Sequence, residues 1–165
     1  MQNNSITIIS IDPGFDRMGL AVLMQEGGKV SLLHSECVVT QARDAHEKRL
    51  LTIGKRLDEV IKEWAPSELA IEKLFFNANT TSAMGVAEAR GVVLFQAARA
   101  GLGVYEYSPQ DVKIAVTGYG KADKTQVESM VRKLVQIPET EKKRLDDEID
   151  AVAVGITHLA SRKAI

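Results

Sequence analysis

Apolar residues change their spacing as the chain proceeds. Ser5 to Ser10 is a β-branched run that predicts a strand, stopped by Ile11-Asp12-Pro13-Gly14. Leu20 to Met24 is a second apolar run, Gly27-Gly28 a turn, and Lys29 to Thr40 a third extended segment. Together they predict an antiparallel meander. The period then lengthens. Leu50, Ile53, Leu57, Val60, Ile61 and Trp64 recur at helical spacing, and Pro66 ends that helix. Leu69-Ala70-Ile71 reads as a short buried strand. A second helix is expected from about Thr80 to Ala100, stopped by Gly101, and Val104 to Tyr107 as another strand. Ser108-Pro109 has the form of an N-cap followed by proline at the first helical position. A long helix begins near Asp123 with the stripe Val127, Met130, Val131, Leu134 and Val135. The last helix starts near Asp147 and buries Ile149, Val152, Ala153, Ile156 and Leu159. The order βββ-α-β-α-β-α-α predicts an α/β fold, a mixed sheet with helices on its faces. No repeat, low-complexity tract or linker breaks it, so residues 1–165 are expected to form a single domain.

Composition narrows the classes. With 45% hydrophobic and 26% charged residues, the chain has what a packed core needs and is not disordered. Its one cysteine, Cys37, forbids an internal disulfide and suits a reducing compartment; it reads as an ordinary thiol. The start lacks a basic n-region, and no run of roughly 18 apolar residues exists, so a cytoplasmic location is expected. The net charge of −1 weighs against a nucleic-acid partner, but it is unevenly spread. Between Lys73 and Lys133 there are eight Lys or Arg against five Asp or Glu. That excess permits an anionic ligand in the middle of the chain without demanding one.

The candidate chemistry is acidic. Asp12 closes the first strand and Glu72 closes the strand Leu69 to Ile71. Asp147 and Asp150 lie three apart at the start of the last helix and so share a face. Each has a plain structural role as well. Acids at a helix start favour the macrodipole, an Asp before Pro-Gly suits a turn, and Glu72 has Lys73 beside it. If the four converge, they repel one another and some take up protons near neutral pH. A set of oxygen ligands suits Mg²⁺ or Mn²⁺, and no Cys/His grouping at zinc spacing competes. Two such ions about 4 Å apart clamp a phosphodiester for hydrolysis. His34, His46 and His158 are assigned to structure or solvent; His158 shares the helical stripe of Asp147 about three turns on, too far for a ligand.

These residues form an ordered series. Ile11-Asp12-Pro13-Gly14 with Gly19 resembles the opening strand of the RuvC-type Holliday junction resolvases. Ala70-Ile71-Glu72 with Phe75-Phe76 resembles their second acidic motif, and Glu88-Ala89-Arg90-Gly91-Val92 a segment of the following helix. Tyr105-Glu106-Tyr107, Gln110 to Lys113, Gly118 to Met130 and Asp147 to Ala153 continue the likeness, through Ile156-Thr157-His158, over nearly the whole chain. The resemblance implies an RNase H-like mixed five-stranded sheet with helices on both faces. It also implies a homodimer and Mg²⁺-dependent cutting of four-way DNA junctions in recombination and repair, with Mn²⁺ able to substitute. Its metal ligands fall on Asp12, Glu72, Asp147 and Asp150. Its DNA-contacting lysines fall on Lys113 and Lys124, and its base-stacking aromatic on Phe75. Lys124, near a helix start, is expected to hold the scissile phosphate, and Arg90 is either a phosphate partner or part of a surface ion pair. Phe76 reads as core. A branch-migration motor partner follows from the resemblance alone. The chain departs from the family pattern at Asn77 to Thr81, which is uncharged, and at Asp146 and Glu148, extra acids able to enter the site.

Other functions are weaker fits. Asp12-Pro13-Gly14 with Gly19 also resembles the phosphate loop of actin-like sugar kinases, but those need two such domains, and 165 residues are too few. A non-catalytic junction-binding protein needs the basic face and not the acids. An RNase H-like nuclease acting on another nucleic acid stays within the nuclease class.

Overall fold

The structure is a computed structural model that describes residues 5–75, 80–138 and 146–162. Five strands, β1 (Ile6–Asp12), β2 (Arg17–Glu26), β3 (Lys29–Val39), β4 (Glu68–Glu72) and β5 (Gly103–Tyr107), form one sheet in the order β3-β2-β1-β4-β5. β1, β2 and β3 make the expected antiparallel meander, turned at Gly27-Gly28, both at positive φ. β4 joins β1 in parallel and β5 joins β4 in parallel. Helices α1 (His46–Trp64) and α2 (Thr80–Arg99) cover one face. Helices α3 (Pro109–Thr117), α4 (Lys124–Leu134) and α5 (Asp146–Ser161) cover the other. Three helices follow β5, not two: α3 is the short helix whose start Ser108-Pro109 marks. Its N-cap is a full capping box, in which Ser108 and Asp111 exchange hydrogen bonds. Asp123 and Gln126 do the same for α4.

Side chains alternate cleanly between the two cores. Ile9, Ile11, Leu69 and Ile71 face α1 and α2, while Ile8 and Ala70 face α5. Asp12 and Glu72 continue the α5-facing rows. Against this face α5 lies unusually close. Ser10 Oγ donates to the Ala151 carbonyl at 2.7 Å, and a Cβ on Gly155 would meet Ser10 Oγ at 2.8 Å. A Cβ on Gly19 would strike the Asp147 backbone. Small residues at Gly19, Ala151 and Gly155 therefore seat the helix start directly over the end of β1.

Two expectations change. α5 buries far more than a stripe: every residue from Ile149 to Leu159 except the half-exposed Asp150 is in the group buried between sheet and outer helices. Leu134, placed on the buried stripe of α4, is 45% exposed as the last residue of that helix, while Val127, Val131 and Val135 fill the core. Phe76 and Asn77 to Asn79 lie outside the described residues. Among the described residues no helix is long and apolar enough to cross a membrane.

Candidate active site

β1 and β4 run parallel with Ile11 opposite Ile71, so the next residues, Asp12 and Glu72, end adjacent strands side by side on the α5 face. Gly19 pairs with Asp12 across the β1–β2 hairpin, and the Asp147 backbone packs on Gly19. Parallel strand ends and a helix start thus meet at the C-terminal edge of the sheet, where open α/β sheets collect ligands.

The four carboxyls lie within electrostatic reach of one another. Burial pushes the Asp12 carboxyl up to about 8, and Glu72, Asp150 and Asp147 add to the rise in that order. Glu72 is raised by burial and then by Asp150, with no lysine opposing. Asp150 is also raised, burial outweighing the pull of Lys124. The two sheet acids and the two helix acids differ in their partners. Asp147 forms an ion pair with Arg17 and accepts a hydrogen bond from the Cys37 thiol at 3.8 Å. Lys124, the first residue of α4, stands 3.4 Å from Asp150 and 3.5 Å from Asp146. Burial works against the charge on Lys124, but Asp150 and Asp146 outweigh it and hold its ammonium above the usual lysine range. Asp12 and Glu72 have no ion pair among the described residues.

The four acids are therefore in electrostatic reach, yet among the described residues no three such side chains stand grouped to grip one ion. The helix acids are instead engaged by basic partners, Asp147 by Arg17 and Asp150 by Lys124. The donor chemistry nevertheless fits a hard divalent cation. All the donors are oxygens, and a divalent cation would offset the burial and neighbouring acids that raise the Asp12 carboxyl to about 8.

The remaining predicted residues surround this edge. Phe75 is 64% exposed, just beyond Glu72, and is not core. Lys113 lies on α3, half-buried, one turn past the end of β5. Arg90 turns to Glu106 at 2.5 Å, the ion-pair alternative. Glu148 accepts from Ser35 at 2.9 Å, and Asp146 is exposed beside Lys124. All three histidines are structural: His34 bonds Glu36 and stacks on Trp64, His46 pairs with Glu88, and His158 is buried. Arg17 is the residue the sequence reading passed over, and Cys37, read as an ordinary thiol, lies beside it on Asp147. Period-2 alternation puts Arg17 on the same face as Gly19, and Gly19 pairs with Cys37, so the hairpin register carries that signal once known.

The strand order, the parallel β1–β4–β5 half and the helices on both faces are those of the RNase H-like fold. The family model described as crossover junction endodeoxyribonuclease RuvC matches residues 8–158, and the chain belongs to that family. The crossover junction endodeoxyribonuclease RuvC of Desulfitobacterium hafniense (strain DSM 10664 / DCB-2) is 45% identical over 154 residues, covering 93% of this chain and 92% of its own. That of Heliobacterium modesticaldum (strain ATCC 51547 / Ice1) is 45% identical over 151 residues, covering 92% of each. The structure of Thermus thermophilus RuvC in complex with Holliday junction substrate matches with a TM-score of 0.86 at 36% identity, covering 93% of both chains.

Proposed function

We propose that this chain is a divalent-metal-dependent endonuclease that resolves four-way DNA junctions by hydrolysing phosphodiester bonds, in recombination and repair. The observation that carries the reading is the meeting of Asp12, Glu72, Asp147 and Asp150 at one sheet edge, with Asp12 pushed up to about 8. These four would hold the cation, with two Mg²⁺ ions as the finer reading. Bound there, Mg²⁺ supplies charge to the phosphate oxygens and acidifies attacking water.

The chain's own residues do the rest. Asp12 and Glu72, fixed on adjacent strands, set where the reacting phosphate lies. Lys124, tethered to Asp150, offers its ammonium to the scissile phosphate as charge builds on it. Water attacks phosphorus, the bond to the leaving sugar oxygen breaks, and that oxygen takes a proton. Lys113 supplies a phosphate contact farther out, while Arg90 is engaged by Glu106. The exposed Phe75 ring stacks on a base opened at the junction centre.

The active form is a homodimer, which sets two sites on strands of equal polarity in a two-fold symmetric junction. The outward face of α2 supports it: Ala89, Val93 and Ala97 fill the core, while Met84 (69%) and Phe95 (64%) stay exposed. The chain works as one nuclease unit in the cytoplasm, and a branch-migration motor partner rests on the family resemblance alone.

The test incubates an end-labelled four-way junction and a linear duplex of the same sequence with the protein, in EDTA and in Mg²⁺. Paired symmetric cuts in the junction, only with Mg²⁺, are expected. Binding without cutting identifies a junction-binding protein, and equal cutting of the linear duplex identifies a nuclease of other substrate choice.

A further inference from the structure

Arg17 opens β2 on the face that carries Asp12, and its guanidinium lies on the Asp147 carboxylate. Arg49, the other guanidinium of this edge, is fixed on three sides. It pairs with Asp16, donates to Thr40 Oγ1 at 2.9 Å and stacks 3.8 Å over the Phe15 ring. Arg17 is held less tightly: besides Asp147 it shares a side-chain hydrogen bond with Cys37, and no ring stacks on it among the described residues. Its side chain is 46% exposed and borders a cavity of about 660 Å³ lined also by Gly14, Phe15, His46 and Arg49. The cavity gives Arg17 somewhere to go when it leaves Asp147, and Asp147 is the one proposed cation ligand whose carboxylate an arginine occupies.

We propose that Arg17 is a positioning residue that competes with the divalent cation for Asp147. It holds the helix acid aside in the cation-free protein, sets the cation concentration at which the site fills, and swings into the neighbouring cavity when Asp147 is taken. This role presupposes the carboxylate cation site described above. A guanidinium and a cation cannot both claim the same carboxylate oxygens, so every increment of Arg17–Asp147 attraction is subtracted from cation affinity. A half-exposed pair gives a modest but measurable competition.

The test titrates Mn²⁺ alone into the full-length, cation-free and DNA-free protein, followed by electron paramagnetic resonance. Arg17→Gln is expected to bind Mn²⁺ about threefold to tenfold more tightly than the parent. Arg17→Lys, which keeps the charge but not the planar fork, is expected to fall between them. In an Asp147→Asn background the Arg17→Gln change is expected to lose its effect. Unchanged or weaker Mn²⁺ binding in both Arg17 variants overturns the competition, as does tightening that persists in Asp147→Asn. A merely structural Arg17 lowers the melting temperature without tightening Mn²⁺. Asp12→Asn and Glu72→Gln separate the two ideas: if neither weakens Mn²⁺ binding, the carboxylate site itself is wrong, whatever Arg17 does.

Discussion

At the start of α5, Asp147 and Asp150 meet Asp12 and Glu72, and burial, then neighbouring acids, raises Asp12, Glu72 and Asp150. At its other end, three turns away, His158 is fully buried between Tyr107, whose hydroxyl lies 2.8 Å from Nδ1, and Glu68, 2.5 Å from Nε2. Arg162 closes the group on Glu68 at 3.3 Å. A neutral imidazole satisfies both neighbours, Nε2–H donating to Glu68 and the Tyr107 hydroxyl donating to Nδ1. Burial, the largest effect, keeps His158 below its usual range despite Glu68. The hydrogen bonds from His158 and Arg162 hold Glu68 below its usual range against the pull of burial. One helix thus carries two buried polar clusters of opposite design. The far one is complementary and closed, and it locks α5 to β4 and β5. The near one is acid-rich: Arg17 and Lys124 pair with the helix acids, while Asp12 and Glu72 have no ion pair among the described residues, the kind of perturbed cluster that marks a functional site.

The largest test removes the like charges. Asp12→Asn and Glu72→Gln should each lower the rate of junction cutting by about a thousandfold or more. Junction binding, read by gel shift, should stay within about threefold. If both variants cut at the parental rate, the near cluster is not the catalytic one. Removing the tethered cation comes next: Lys124→Gln should slow single-turnover cutting about a hundredfold, the scale of losing one well-placed donor to a developing charge.

The far cluster should behave in the opposite way. His158→Leu leaves the Tyr107 hydroxyl without its imidazole partner and Glu68 with Arg162 alone, and should cost about 2–3 kcal/mol, a fall in Tm of roughly 5–10 °C. The cutting rate per folded molecule, measured well below Tm, should hold. A lost rate with an unchanged Tm would make the far cluster functional.

Much of this contrast was legible in the sequence, because period carries burial. The β-branched run Ser5 to Ser10 marked β1, the helical stripe from Ile53 to Ile61 marked α1, Asp12 and Glu72 stood at the ends of apolar runs, and Asp147 and Asp150 at the start of a helix. What was not legible depends on register and on neighbours from distant segments. Arg17 meets Asp147 only because the β1–β2 hairpin pairs Gly19 with Asp12 and the Asp147 backbone packs on that glycine. His158 is a core group because Glu68, ninety residues earlier, reaches it. Leu134 fits the helical stripe and is exposed all the same, since a stripe does not say where the covering layer ends.

A smaller effect separates the clusters by pH. In cation-free melts, the contribution of protonated Asp12 is fully present below its ordinary 3.8 and is lost as pH rises through about 8. That of neutral His158 is fully present above its ordinary 6.5 and is lost as pH falls towards its depressed folded value. Melting curves from pH 5 to 8.5 should therefore lose part of their alkaline limb in Asp12→Asn and part of their acid limb in His158→Leu. Identical limbs in parent and variants would mean that neither group is perturbed.

The most direct measurement compares the parent with Asp12→Asn by thermal melting at pH 8, in EDTA and in 10 mM-scale (about 10 mM) Mg²⁺. A site built of converging acids predicts that in EDTA the variant melts above the parent, by about 2–4 °C for each kcal/mol of repulsion relieved. It also predicts that Mg²⁺ raises the parent's Tm and leaves the variant's nearly unmoved. A variant that melts below the parent in EDTA and gains as much from Mg²⁺ would contradict it.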